Sequence, residues 1–396
     1  MTAAVPDAVA LTQELVRIRS VNDPDNDVAE SVIAARIAEI MRSFGWTVDV
    51  VEVAPGRPNV VAIIEGGGGD GPTLMFEGHT DVVTEGSADT WTMDPYGGDI
   101  VDGRLYGRGS ADMKSGVAAM IAAARQVQMA GPFPGRIVVA ALVDEEGMML
   151  GAKHFAATPL ASTIDAAIVC EPEAGEICIT AKGALRLSIE LFGVMAHGAM
   201  PAQAKNPILC IGEILASLVE YQVELAAEHV EHEHLGPVYI TPTVVQAGSL
   251  NQINVVPAFA QIALDIRTIP GVDHRGVVRR VTQIAERAST SQGVRSEVQV
   301  LDDRPTVEVS ETHPLVRSMV VAHEAVTGQP AKFGGVPGAT DGTILFRDAG
   351  IPNLVYGPGG KWIAHQSDEF VDISEIYTAA KVYARAATLF LTGTDR

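Results

Sequence analysis

The sequence GRGSADMKSGVAAMIAAARQVQMA, residues 107–130, joins a loop rich in glycine and serine to a run rich in alanine. Small and apolar residues recur at helical spacing from Lys114 to Ala130, which predicts a helix buried in the protein. The loop would hold Asp112 near the N-terminus of this helix, where the helix dipole favours a negative charge. A carboxylate in that position could cap the helix, which is the commoner role, or it could bind a metal ion. The surrounding sequence decides between these two roles.

Short strand-like segments alternate with helical segments on both sides of this loop. The predicted helices of this part of the chain cover residues 8–19, 28–45, 114–130 and about 149–157. The strand-like segments are rich in β-branched residues and read WTVDVVEV, NVVAIIE, TLMFEG, RIVVAALVD and DAAIVCE. This alternation predicts an α/β fold with a mixed, mostly parallel sheet covered by helices. The GGGG segment at 66–69 is not followed by a helix, so it predicts a hairpin turn rather than a phosphate loop.

The pattern changes after Glu171. Strands and helices then follow in the order β-α-β-β-α-β, which predicts a small inserted α+β domain with a ferredoxin-like fold. The βα alternation later resumes, with predicted helices at about 313–326 and 373–391. The predicted domains are a first domain formed by residues 1–181 and 304–396, and an inserted domain formed by residues 182–303.

Composition limits the partners of the protein. The 396 residues carry 28 Lys and Arg against 49 Asp and Glu, a formal charge of -21, so phosphate backbones and anionic membrane surfaces would be repelled. We therefore expect neither nucleic acid nor membrane as a partner. The three cysteines, Cys170, Cys178 and Cys210, show no paired spacing, which predicts free thiols in a reducing compartment. Without a basic and apolar leader or a long apolar run, the sequence predicts a cytoplasmic location.

Residues able to bind metal follow several apolar strands or lie in glycine-rich loops, where α/β sheets place ligands. They are His79, Asp81, Asp112, Glu145, Glu146, Glu171 and His365. Residues two apart in an extended segment face the same way, so Asp81 could accept the distal N–H of His79 and orient its ring. The adjacent Glu145 and Glu146 face different sides, so one could bind metal while the other acts as a base.

Two histidines and three carboxylates can hold two divalent ions only if one carboxylate bridges the ions. Mixed nitrogen and oxygen ligands favour Zn²⁺, with Co²⁺ or Mn²⁺ as substitutes. Each of these residues alone would more often be an ordinary surface or core residue. Their occurrence together in one chain predicts a metal centre.

At these residues the sequence resembles the di-zinc amidohydrolases that include acetylornithine deacetylase, succinyl-diaminopimelate desuccinylase, aminoacylase and glutamate carboxypeptidase. The resemblance runs from LVRIRSVN near the start to AHQSDEFV near the end. It implies that His79 and Glu171 bind one zinc ion. It further implies that Glu146 and His365 bind the other ion and that Asp112 bridges the two.

The same resemblance assigns roles beyond the metal ligands. Glu145 would be the general base, Asp81 would orient His79, and the peptide bond after Asp112 would be cis. In the inserted domain, His197 in GVMAHGAMP would reach the active site of a partner subunit. The residues implied or predicted to hold the substrate are Asn254 in LNQINVVP, Arg267 in LDIRTIP, and Gly359 in a GPGG loop that permits close backbone approach.

The resemblance implies hydrolysis of the amide bond of an N-acyl amino acid, as in a deacetylase or desuccinylase, by a zinc-activated water with Glu145 as general base. A metallo-carboxypeptidase or dipeptidase that cleaves a short peptide would use the same centre and is the alternative. A catalytically silent binding protein would have no need of Glu145 beside a full ligand set, and a nucleotide-binding protein would need a phosphate loop. The resemblance also implies a homodimer formed through the inserted domain, which would act as a lid and dimerisation domain.

Overall fold

The computed structural model describes residues 4–23 and 30–394. Within that part, the chain divides into two compact units. The first unit contains the described residues up to Thr180, the segment Val307–Val336 and the described residues from Thr340 onward. The second unit contains Ala181–Thr306 and the short segment Pro337–Ala339.

The longer helices occur where the periodicity of apolar residues predicts them. In chain order they are α1 (Ala8–Val16), α2 (Glu30–Ser43), α3 (Ser115–Ala130), α4 (Leu150–Ala156), α5 (Pro207–Glu228), α6 (His274–Ser291), α7 (Pro314–Thr327), α8 (Asp341–Ala349) and α9 (Ile373–Thr392). Residues 28 and 29, where the second predicted helix begins, lie outside the described residues. In the described part of the chain, none of the helices has the length and apolar character needed to cross a membrane.

The strands are numbered in chain order across both units. They are β1 (Thr47–Ala54), β2 (Arg57–Glu65), β3 (Thr73–His79), β4 (Ile100–Val101), β5 (Arg104–Tyr106), β6 (Arg136–Leu142), β7 (Ala166–Val169), β8 (Ile177–Ala181), β9 (Gly183–Phe192), β10 (Ala196–His197), β11 (Tyr239–Ala247), β12 (Val255–Val256), β13 (Phe259–Thr268), β14 (Arg295–Arg304), β15 (Val307–Glu308), β16 (Phe333–Val336), β17 (Asn353–Val355) and β18 (Phe370–Asp372).

The first unit is built on a large mixed sheet of order β1-β2-β6-β3-β7-β17-β8-β15, with β16 beside β8. The central strands β6, β3, β7 and β17 pair in parallel, whereas β1 with β2 and β2 with β6 pair antiparallel. Every residue of β3 and β7 is buried, as expected for parallel strands covered by helices on both faces. The predicted α/β class with a mixed sheet is confirmed.

The glycine run at 66–69 does not form the predicted hairpin. Strands β2 and β3, which it connects, are separated in the sheet by β6. The run lies instead against the segment that leads into β6, where the N–H of Gly68 donates to the carbonyl of Phe133 at 2.9 Å. A Cβ atom on Gly66 would lie 2.0 Å from that same carbonyl oxygen, so the close approach requires glycine.

The second unit has the predicted β-α-β-β-α-β order, from β9 through α5, β11, β13 and α6 to β14. Its sheet has the order β11-β13-β9-β14 and its neighbouring strands are antiparallel, which is the ferredoxin-like arrangement. Alternate residues of β9, among them Leu185, Leu187 and Ile189, join apolar residues of α5 and α6 in one buried core. The unit extends past the predicted boundary at residue 303 because β14 continues to Arg304.

Candidate metal centre and active site

The central residues of the site lie at or just after the carboxyl ends of three neighbouring parallel strands, β6, β3 and β7, at one edge of the first unit's sheet. His79 is the last residue of β3 and lies beside Leu142, the last residue of β6. Glu145 and Glu146 follow β6 in the chain, and Glu171 follows β7. Because β6, β3 and β7 are adjacent and parallel, side chains that follow their carboxyl ends meet at the same place.

Two histidines and several carboxylates converge at this edge. His79 Nε2 lies 3.1 Å from Asp112 Oδ1 and 3.3 Å from Glu171 Oε1. His365 Nε2 lies 2.9 Å from Glu146 Oε1 and 3.3 Å from Asp112 Oδ2. Asp112 therefore faces one histidine with each of its oxygen atoms. The structure brings together all five residues that the sequence predicts as metal ligands.

Glu145 lies beside this cluster. Its side chain is buried, and one of its carboxylate oxygens lies within 4.8 Å of ligand atoms of His79 and Glu171. The neighbouring Glu146 instead lies next to His365. The two adjacent glutamates thus occupy different positions around the cluster, as expected for successive residues.

A buried ion pair holds the turn that carries Asp112. Glu369 Oε1 accepts the backbone N–H groups of Ala111 and Asp112 at 2.9 and 3.1 Å, and Glu369 Oε2 accepts from Arg108 at 2.5 Å. Arg108 also donates to the carbonyl of His365 at 3.4 Å. The pair therefore connects the Asp112 turn with the loop of His365. The peptide bond after Asp112 is cis, as the resemblance implies.

Asp81 contacts both His79 and the turn of the two glutamates. His79 Nδ1 lies 2.9 Å from the backbone carbonyl of Asp81, which accepts its N–H when Nε2 serves as a ligand, and 3.5 Å from Asp81 Oδ1. The Asp81 carboxylate accepts the backbone N–H groups of Glu145 at 3.2 Å and Glu146 at 3.1 Å. The expected orientation of His79 thus runs mainly through the Asp81 carbonyl, and the carboxylate positions the turn.

The cluster holds more negative charge than its histidines balance. Burial raises the pKa of Glu171 to about 8, and the charge of Asp112 adds to this. Burial also raises the pKa of Glu145, to which the carboxylates of Glu146 and Glu171 contribute. Hydrogen bonds to Asp112 and Glu146 raise the pKa of His365 to about 10. Buried carboxylates that retain protons in this way would release them to bind a cation.

The donor set fits two divalent ions. One ion would take His79 Nε2 and Glu171, the other would take His365 Nε2 and Glu146, and Asp112 has one oxygen directed toward each histidine. Imidazole nitrogen together with carboxylate oxygen is the chemistry that Zn²⁺, Co²⁺ and Mn²⁺ accept. Cations at these two positions would also offset the repulsion among the carboxylates.

Gly359 packs against the turns that contain two of the predicted ligands, Asp112 and Glu171. It has a φ of 92°, and a Cβ atom there would lie 3.0 Å from the Cβ of Ala111 and 3.4 Å from that of Pro172. Its N–H donates to Glu375 Oε2 at 2.9 Å, and its carbonyl accepts the N–H of Ala174 at 2.8 Å. These contacts explain why a glycine is needed at this position. The substrate contact of Gly359 stays a prediction.

The other predicted residues lie in the second unit. His197 and Asn254 are neighbours because β10 pairs with β12 and the N–H of Gly198 donates to the Asn254 carbonyl at 2.7 Å. The exposed ring of His197 accepts the N–H of Ala199 on Nδ1 at 3.0 Å, which leaves Nε2 as the N–H donor of the neutral ring. Arg267 donates to both carboxylate oxygens of Asp265, at 2.6 and 3.1 Å.

Sequence reasoning missed several residues that hold the ligands in place. Glu369 follows His365 by only four positions. A carboxylate so close in sequence to a predicted ligand could have indicated its role. Arg108 and Asn22 have no such signal in the sequence, because Arg108 lies in a glycine-rich loop and Asn22 lies between two predicted helices. Their partners lie far away along the chain, and only the folded structure brings them together.

Comparisons with known proteins identify the family of the chain. The model of the peptidase family M20/M25/M40 matches residues 75–389. The succinyl-diaminopimelate desuccinylase of Cereibacter sphaeroides is 30% identical over 396 residues, which cover 98% of this chain and 99% of that protein.

Solved structures share the fold. The aminopeptidase PepT of Bacillus cereus gives a TM-score of 0.77 with 19% identity, covering 96% of this chain and 97% of that one. The YXEP protein of Bacillus subtilis, described as a dinuclear metal binding peptidase, gives a TM-score of 0.71 with 17% identity and covers 97% of each chain. The chain therefore belongs to the peptidase family M20/M25/M40 and is a metal-dependent amidohydrolase.

Proposed function

We propose that the protein hydrolyses the amide bond of an N-acyl amino acid, with Glu145 as general base. The observation that carries this proposal is the position of the buried Glu145 beside a cluster of histidine and carboxylate ligands. The chain is similar over nearly its whole length to a succinyl-diaminopimelate desuccinylase. This similarity favours removal of an acyl group from an amino acid over cleavage of a peptide.

Two divalent ions would be held by the five converging ligands, with Asp112 shared between them. We propose Zn²⁺ as the bound ion because the site combines imidazole nitrogen with carboxylate oxygen. Co²⁺ or Mn²⁺ would suit the same donors. When bound, the ions would supply Lewis-acid activation of a water molecule and of the substrate carbonyl. The similarity in fold to a dinuclear metal binding peptidase supports the number of ions.

The chain's own residues would move the proton and bind the charged groups. Glu145 would take a proton from the attacking water and return it to the departing amine. His197 would donate from Nε2 to the oxyanion that develops on the carbonyl, since its Nδ1 is engaged by Ala199. Asp265 holds one edge of the Arg267 guanidinium, so the other edge would pair with the substrate carboxylate.

A substrate panel tests the proposed function. The panel contains N-acetyl, N-succinyl, N-formyl and N-carbamoyl amino acids together with dipeptides, each assayed for amine release with Zn²⁺, Co²⁺ or Mn²⁺. We expect an N-acyl amino acid to be the best substrate, with a kcat/KM at least about tenfold above that of any dipeptide, a difference of ~1.4 kcal/mol in transition-state stabilisation. Preferred cleavage of dipeptides would establish the alternative, a metallopeptidase. Hydrolysis of none of these compounds would refute the proposed function.

A homodimer through the inserted domain is part of the proposal. Helix α5 exposes a stripe of apolar residues at helical spacing, namely Leu209, Gly212, Ala216, Val219 and Val223. Strand β11 lies at the edge of its sheet and exposes Val244 and Val245. An exposed sheet edge next to an apolar helix stripe supports pairing with a second copy of the chain.

Subunit mixing tests whether His197 acts in the partner's active site. His197→Ala and Glu145→Gln chains should each be nearly inactive alone. A mixed dimer would contain one site that combines an intact Glu145 with an intact His197. A random mixture should therefore recover about one quarter of wild-type activity, because about half of its dimers are mixed and each has one working site. Mixed dimers that are verified by mass but remain inactive would rule out the action across subunits.

We also propose that the protein is located in the cytoplasm. Cys170, Cys178 and Cys210 are all buried and free. Free thiols are typical of a reducing compartment, which supports the cytoplasm.

A further inference from the structure

A polar network formed by the half-buried Asn22 and several buried charged residues lies next to the turn of Glu145 and Glu146. Asn22 Nδ2 donates to Asp81 Oδ2 at 2.7 Å and to Asp144 Oδ1 at 3.0 Å. Asn22 Oδ1 accepts from Arg57 at 3.2 Å. The amide has carboxylates on its nitrogen side and a guanidinium on its oxygen side, so only one of its two orientations satisfies every partner.

Arg57 anchors this network in the interior of the first unit. Its Nε lies 3.3 Å from Glu30 Oε2, and another of its nitrogens pairs with the Asp144 carboxylate. Glu30 in turn accepts the backbone N–H of Asp144 at 3.1 Å. Arg57, Asp144 and Glu30 are 7%, 4% and 0% exposed. Buried ionisable groups of this kind are stable only beside suitable partners, so their relative positions are tightly constrained.

Asp144 controls the shape of the turn. Its φ of 66° lies in the left-handed region, which a residue other than glycine adopts only under constraint. Its Oδ2 accepts the backbone N–H groups of Met148 at 3.0 Å and Leu150 at 3.3 Å. Asp81 accepts the N–H groups of the two glutamates at the start of the turn. The carboxylates of Asp81 and Asp144 therefore hold the two ends of the turn by hydrogen bonds. Asn22 is the group that joins these two carboxylates.

We propose that Asn22 and Arg57 are positioning residues that set where the carboxylates of Glu145 and Glu146 point. They do so by connecting Asp81 to Asp144 and thereby defining the path of the backbone between them. Neither belongs to the cluster of converging ligands, and both act through other residues. The kinetic consequence of this inference rests on the proposed function, whereas its effect on metal affinity does not.

Gly147 gives independent support. A Cβ atom there would lie 2.5 Å from Asp144 Oδ1 and 3.0 Å from Asn22 Nδ2. The network and the turn are therefore packed so closely that a single methyl group would displace one of them. Glycine at this position therefore fits the close approach of both Asp144 and Asn22.

The test uses the full-length protein and begins with Asn22→Ala, which removes the connecting amide without removing a charge. We expect kcat to fall roughly 10- to 100-fold with little change in KM, because a small misplacement of the base and its neighbour affects the transition state most. In a titration of metal-free protein with Co²⁺, followed by visible absorption, the second ion should bind roughly 10- to 100-fold more weakly. Two further variants should show the same pattern. They are Arg57→Lys, which keeps the positive charge but loses the several N–H donors of the guanidinium, and Gly147→Ala.

Asn353→Ala is the matched control. Asn353 is a buried asparagine of the same unit whose amide donates to the carbonyls of Gly342 and Ile351, at 2.8 and 3.1 Å. Its loss should lower the melting temperature without changing kcat per folded molecule or the affinity for Co²⁺. If Asn22→Ala behaves like this control, the positioning role is refuted. If the wild-type protein hydrolyses nothing in the panel, the proposed function fails, and the Co²⁺ titration alone decides the positioning role.

Discussion

The Glu145→Gln variant is expected to retain both divalent ions and to lose about 10²- to 10⁴-fold in kcat, which is the usual contribution of general-base assistance. The amide keeps the size of the carboxylate but cannot accept a proton. The hydrogen bond from the Glu145 backbone to Asp81 would remain, so the turn should keep its shape. Metal content by mass spectrometry and kcat on the best substrate of the panel provide the measurement.

Glu146→Gln is the matched comparison, because it changes the adjacent residue of the same turn. Glu146 lies 2.9 Å from His365 Nε2, so its loss should weaken binding of one ion before it affects proton transfer. The two variants should therefore separate metal content from turnover. Loss of an ion from Glu145→Gln with retention of both ions in Glu146→Gln would mean that the two roles are reversed.

The Asp112→Ala variant should show the largest loss of metal. Asp112 faces His79 with one oxygen and His365 with the other, so its removal would take a ligand from both ions at once. Removing an outer partner of a ligand typically costs 10- to 100-fold in affinity, and we expect the loss of a shared ligand to exceed about 100-fold. Activity should fall to background even with excess Zn²⁺. Calorimetric titration of metal-free protein measures the affinity of each ion.

Asp89→Ala, a change at an exposed aspartate of the same unit, should bind both ions with wild-type affinity. Two tightly bound ions and full activity in Asp112→Ala would remove Asp112 from the bridging position. Treatment of the wild-type protein with a chelator should reproduce the inactive state, and added Zn²⁺ should reverse it.

The sequence predicts the fold of this protein well because its strands are strongly patterned. The run TLMFEGH has the apolar residues Leu74, Met75 and Phe76 at its centre, and all seven of its residues are buried in the centre of the sheet as β3. Alternating residues in β9 likewise indicate one buried and one more open face. The proposed ligands could be singled out because four of the five adjoin such strands or a predicted helix, where their neighbours are easy to recognise.

The supporting residues could not be predicted from the sequence. Asn22 lies 122 positions from Asp144, and Glu369 lies 257 positions from Asp112, so no local pattern links them. The error at the glycine run has a similar cause, because the strand that separates β2 from β3 comes much later in the chain. Local periodicity predicts elements, whereas sheet order and buried polar networks depend on contacts between distant segments.

The position of β17 in the sheet has a consequence for the order in which the protein assembles during synthesis. This strand, Asn353–Val355, lies between β7 and β8, and both are synthesised more than 170 residues earlier. Each of them therefore keeps one edge without its β17 partner until β17 has been made. The second unit, whose strands all lie between residues 183 and 304, can finish folding during that interval. The first unit closes only after residue 355 has emerged. Nascent chains that stop before β17 should therefore depend on chaperones, because an open strand edge within the sheet invites aggregation.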